Sequence, residues 1–142
     1  MYNALLIANH IVKYCNSKNH PISNLKLQKL LYFVQAEFLV SKGTPCFREA
    51  IEAWDFGPVV PEVYHHFKKY GSSIIISHSK GLKGIIDQAD CQIIEDMVNE
   101  CASFSAAQLV EITCNQDPWK KAYNRYVNRV ISKQSIKEFF FL

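Results

Sequence analysis

Ser23-Asn24-Leu25-Lys26-Leu27-Gln28-Lys29-Leu30-Leu31-Tyr32-Phe33-Val34-Gln35-Ala36-Glu37-Phe38-Leu39-Val40-Ser41 is the stretch that sets the architecture. Ser23 is suited to accept from the first free amides of a helix, and Gly43 is suited to end one. Between them the chain is apolar on most sides, with Gln28, Gln35 and Lys42 falling seven apart as a narrow wet edge. Such a helix belongs at the centre of a bundle, with other helices around it. Lys29 stands among apolar neighbours, so its ammonium is expected to snorkel out or to meet a carboxylate.

The flanking sequence supplies the surrounding helices. Leu5, Ala8, Val12 and Cys15 recur at helical spacing within Tyr2–Asn16. Pro61 suits the first turn of a helix to about Tyr70, with Val60, Val63, Tyr64 and Phe67 on one face and Gly71 as its stop. Ala89–Phe104 carries Ile93, Ile94, Met97, Val98, Cys101 and Phe104 on one side. Ser105 and Gln108 form a capping-box pattern opening a short helix through Thr113. Asp117 as N-cap and Pro118 as first helical position start another, with Trp119, Ala122, Tyr123, Tyr126, Val127 and Val130 as its apolar face. Ser132 caps a last helix, Lys133 to Leu142.

Ile51–Trp54 reads as a short extended piece, with a helical turn as the alternative, and Ile74-Ile75-Ile76 as a short strand that could pair with it. Gly81 and Gly84 keep the stretch after it irregular. The expected fold is mainly α. It is a compact domain over residues 1–142, with six or seven helices around the central one and at most a minor two-stranded β element.

The composition, 49% hydrophobic and 20% charged, is that of a globular chain. Five cysteines without a Cys-x-x-Cys pair argue against a disulfide framework or zinc ribbon, and they read as reduced residues mostly filling core positions. Neither a basic leader nor a run of about 18 apolar residues is present, so the expected location is the cytoplasm, with no membrane association. The net charge of +3 is too small to mark a nucleic-acid binder, but it is unevenly spread. Met1–Lys83 has ten Lys or Arg against five acids, Gly84–Asp117 has seven acids and no Lys or Arg, and Pro118–Leu142 has six bases against Glu138. The acidic block either docks on the basic ends of its own fold or faces a partner.

No catalytic, cofactor-binding or metal-binding pattern is visible. Adjacent His65 and His66 diverge on a helix and read as surface residues. Glu49, Glu52 and Asp55 allow a paired-carboxylate enzyme site at Glu52 and Asp55, but the plainer reading pairs one of them with a lysine such as Lys29. Lys120, Lys121, Arg125 and Arg129 allow a third reading, a nucleic-acid-binding accessory tracking phosphates along one helix. Trp54 and Trp119 are expected to bury most of their rings while each indole N–H finds an acceptor. Phe139-Phe140-Phe141-Leu142 cannot all face one core, so at least one is exposed as a frayed tail, or covered by a partner or a second copy in a homodimer.

Three segments resemble the SocA-like, or Panacea, antitoxin domain. They are Ile22–Phe33; Glu52-Ala53-Trp54-Asp55-Phe56-Gly57-Pro58-Val59-Val60-Pro61-Glu62-Val63-Tyr64; and Leu109–Thr113 followed by Asp117-Pro118-Trp119. The resemblance implies a bacterial or prophage antitoxin, not an enzyme, that neutralises a cognate toxin by direct protein–protein binding. Some members hand the toxin to an AAA+ protease. Matched to the signatures, the residues implicated in partner binding or in holding the fold are Lys29, Tyr32, Trp54, Gly57, Pro58, Val59, Tyr64 and Trp119. Cys114 stands where the family usually has His.

Overall fold

The computed structural model describes residues 1–77 and 85–141. Among them the chain forms α1 (Ala4–Ser17), α2 (Asn24–Ser41), β1 (Ile51–Trp54), β2 (Gly57–Val59), α3 (Pro61–Phe67) with a 3₁₀ turn at Lys68–Tyr70, α4 (Gln88–Cys101), α5 (Ala106–Cys114), α6 (Asp117–Ala122), β3 (Arg129–Ile131) and α7 (Lys133–Phe140). The mainly α architecture agrees with the sequence reading.

Local chemistry sets several helix starts. Asn3 accepts from Leu5 N, Ser23 from Lys26 N and Ser132 from Ser135 N. Ser105 and Gln108 close both halves of the expected capping box. At α6 the cap lies one residue earlier than expected, at Gln116, with Asp117 and Pro118 forming the first turn.

Helix α2 is central, packing on α1, α3, α4, α5, α7 and β2. Its Leu27, Leu30, Leu31, Tyr32, Val34, Phe38 and Leu39 are buried in one core cluster with Ile7, Ile11, Val63, Ile94, Leu109 and Ile136. On α1 the core face is turned towards Ala4, Ile7 and Ile11, leaving Leu5 half-buried. The wet edge expected on α2 is not there, because Gln28 and Gln35 are buried. The side of α2 that carries them is covered, so their amides serve the backbone of neighbouring segments, and the half-buried residues are Leu25, Lys26, Phe33, Glu37 and Val40. Gln35 Oε1 accepts from Cys46 N and Phe47 N, and its Nε2 donates to Phe47 O. Gln28 Oε1 accepts from Val60 N, while its Nε2 donates to Asn24 Oδ1 and Asn24 Nδ2 donates to Tyr64 O. Among the described residues no buried side-chain nitrogen or oxygen lacks a partner.

The β element is a three-stranded antiparallel sheet in the order β2-β1-β3, larger than the two strands expected. Trp54 pairs with Gly57 and Ala53 with Pro58 on one side, and Ile51 with Ile131 on the other. Ile74–Ile76 is not a strand: Ile75 is buried and donates to Ile22 O, while Ile74 and Ile76 are exposed. The stretch around Gly81 and Gly84, and Leu142, lie outside the described residues.

The acidic block docks in part on its own fold. Lys42 pairs with Asp90, which also accepts from Tyr2 OH. Burial works against the charged form of Asp90, but these two hydrogen bonds outweigh it and hold the carboxyl below its usual range. Among the described residues no helix is long and apolar enough to cross a membrane.

Candidate functional site

The β1–β2 turn is built around one glycine and one buried lysine. Gly57 has φ +100°, a region closed to most side chains, and a Cβ there would stand 2.9 Å from both Lys29 Cε and Thr113 Oγ1. This close approach lets Lys29 Nζ donate to Pro58 O at 2.9 Å. Pro58 lacks an N–H, which β2 tolerates as an edge strand. Lys29 is fully buried and neither snorkels nor meets a carboxylate, contrary to expectation. Burial pushes its amine from 10.5 down to about 7, with Cys114 acting weakly the other way. Above that pH the amine is mostly neutral, and donating to a carbonyl then avoids burying a charge.

An aromatic layer covers the hairpin. Trp54 packs edge-on against Tyr64 at 5.0 Å, and its indole donates to Glu52 Oε1. Trp119 donates to Trp54 O at 2.8 Å and stacks on Tyr123 at 4.4 Å. Tyr123 OH donates to Asp55, whose carboxylate raises the phenol's pKa. Glu49 accepts from Ala4 N. Each of the three acids thus has its own structural donor, and none pairs with Lys29.

Seven of the eight signature residues therefore meet in one place: Lys29, Gly57, Pro58 and Val59 form the knot beneath the turn, and Trp54, Tyr64 and Trp119 the layer over it. Tyr32 lies one helical turn beyond Lys29, where its hydroxyl donates to Gln116 Oε1 and its ring packs on Phe33 and Phe140. Trp54, Tyr64 and Trp119 are half-buried and the others are buried. His65 and His66 are exposed, as expected.

The exposed residues beside the knot are ones that the sequence reading placed elsewhere. Helix α6 ends at Ala122, so Tyr126, Val127 and Val130 do not line a helical core face. They lie in the loop and in β3, and are 83%, 55% and 56% exposed. Phe56 at the hairpin tip is 66% exposed. Lys120 and Lys121 on α6, Arg125 in the loop and Arg129 on β3 do not share one helix, so the phosphate-tracking helix does not exist. A groove of about 720 Å³ runs beside the turn. Leu25, Trp54, Val59 and Tyr64 are among its lining, with Phe56, Tyr126, Lys68 and Arg125. The signal available in the sequence was Val-Asn-Arg-Val-Ile at 127–131, which is rich in β-branched residues.

A separate cluster, His10, Cys91 and Glu95, joins α1 and α4. No sequence spacing pointed to it, since His10 lies far from the other two along the chain.

The sequence profile of the family described as Antitoxin SocA-like, Panacea domain, matches residues 27–120, a span that contains all eight signature residues. Antitoxin SocA of Caulobacter vibrioides (strain NA1000 / CB15N) is 38% identical over 128 residues, covering 82% of this chain and 68% of that protein. No solved structure matches the chain.

Proposed function

Because the chain belongs to the SocA-like, Panacea-domain antitoxin family, we propose that it neutralises a cognate toxin in the cytoplasm by direct contact through the hairpin face. The observation that carries this reading is that exposed Phe56 and Tyr126 line one groove together with Trp54 and Tyr64, on a rigid support. Large exposed apolar side chains around a groove mark interaction surfaces, and aromatic residues dominate interface energetics. The turn they flank is held from beneath by the Lys29–Pro58 bond, so it loses little conformational entropy on docking. Lys68 and Arg125 beside the groove suit an acidic segment of the toxin, because Asp55 is already engaged by Tyr123. A standard interface buries about 1,600 Å² in total, which is wider than the groove, so the groove is its centre. In this reading the eight signature residues support the surface, with Trp54 and Tyr64 reaching it.

The engagement of Glu52 and Asp55 by Trp54 and Tyr123 favours a binding protein over a carboxylate enzyme. The test is co-expression with the product of the neighbouring gene. Wild type should restore growth and co-purify with that product, and continued toxicity rejects the pairing. Phe56→Ala with Tyr126→Ala should leave stability within about 0.5 kcal/mol and weaken toxin binding by more than about tenfold. Unchanged affinity moves the interface off this face. A fall in toxin level that requires an AAA+ protease supports the adaptor route, whereas a constant level supports occlusion alone.

A further inference from the structure

We infer that His10, Cys91 and Glu95 form a site for one divalent transition-metal ion, with zinc the best match, that ties α1 to α4. Cys91 and Glu95 are one turn apart on α4 and therefore share a face, which packs against the α1 segment carrying His10. One nitrogen, one sulfur and one carboxylate oxygen, one from each side chain, all lie within 4.8 Å of one another. His10 Nε2 and Glu95 Oε2 are already 2.9 Å apart. Bonds of about 2.0–2.3 Å to a tetrahedral zinc ion place its ligands roughly 3.5 Å apart, so the His10–Glu95 pair opens slightly and Cys91 turns inward from its thiol contact with Ile86 O to complete the set. A His–carboxylate hydrogen bond alone explains two members of this cluster. The thiol is the third, and a mixed nitrogen, sulfur and oxygen set is one that borderline-soft zinc accepts.

The surroundings favour a cation. Helix α4 carries no Lys or Arg, and Asp87 and Asp90 stand within a turn of Cys91 along it. Asp90 is occupied by Lys42 and Tyr2, which leaves the three-residue set to itself. All three ligands are half-buried, which leaves an entry path and a fourth position for water. Binding releases the Cys91 thiol proton to solvent, and the metal takes the place of the His10–Glu95 hydrogen bond. The ion would exchange that one hydrogen bond for three ligand bonds in a helix pair also joined by packing and by the Asn99 Nδ2 to Tyr14 OH hydrogen bond.

The experiment is titration of the reduced, chelator-treated full chain with Co²⁺, followed by Zn²⁺ competition. The expected result is a thiolate-to-cobalt charge-transfer band with low-coordinate d–d absorption, saturating at one ion per chain and erased by zinc. Cys91→Ser should abolish the charge-transfer band, Cys114→Ser should keep it, and His10→Ala or Glu95→Ala should weaken binding at least about tenfold, as for other ligand-shell losses. Wild type should also gain a higher Tm in Zn²⁺ that His10→Ala does not, so the test stands even if Cys91→Ser folds poorly. No band in wild type, or a band and zinc-dependent Tm that survive His10→Ala, overturns the proposal.

Discussion

Replacing Lys29 with Met should change how the stability of this protein depends on pH. Lys29 is fully buried, and burial lowers its pKa from 10.5 to about 7 in the folded state. Between those values the unfolded chain holds a proton that the native chain has released, so stability rises with pH. Below the folded value the penalty is fully present, and it fades towards the unfolded value. A pKa unit corresponds to a little over 1 kcal/mol, which gives wild type a gain of roughly 2 kcal/mol between pH 6.5 and 8.5. Burial raises the thiols of Cys15 and Cys101 to about 11 and that of Cys46 to about 12. They act in the opposite sense as pH climbs through their unfolded value of 9.0. They are present in both proteins, so they cancel in the difference. Methionine preserves most of the volume. Urea unfolding across this range, with m-values compared, gives the two stability curves. The curve of wild type should climb relative to that of Lys29→Met; parallel curves would show that Lys29 stays charged in the fold and would refute the neutral-amine account.

Two further outcomes follow from the same geometry. Gly57→Ala should lose about 2–4 kcal/mol, from a side chain at positive φ and from contact with Lys29 and Thr113, read as a lower urea midpoint. Gln35→Leu should lose a similar amount, about 2–4 kcal/mol, because Cys46 N, Phe47 N and Phe47 O are left without their partner, and hydrogen exchange at those two amides should quicken.

Much of the fold was legible because its signals are local. Ser23, Ser105 with Gln108, and Ser132 each cap the helix that follows them, and a cap needs only a few residues of context. The central role of α2 was readable because apolar residues occupy most of its sides. The misreadings share one cause, a local pattern overridden by distant partners. Gln28 and Gln35 repeat every seven residues as a wet edge does, but the loops at Cys46–Phe47 and Val60 come back to use them. Residues 119–130 carry a helical apolar period, yet Tyr123 turns to extended geometry and the chain continues into a strand paired with β1. Ile74–Ile76 is a β-branched run such as strands favour, but its one core residue, Ile75, donates its backbone N–H to Ile22 O instead of joining the sheet.

The candidate site divides in the same way. The order of residues was enough to single out the turn at Trp54–Pro61, because glycine and proline restrict the backbone whatever surrounds them. Folding alone brought Lys29 beneath Pro58, gave Glu52 and Asp55 aromatic donors in place of the lysine expected for one of the three acids, and put exposed Tyr126 on the same groove as Phe56. It also carried His10 across to Cys91 and Glu95. Caps, turns and amphipathic periods act over a few residues and can be read along the chain. Burial, the charge state of an amine and the membership of a surface depend on which distant segments arrive at the same point, and only the tertiary structure decides that.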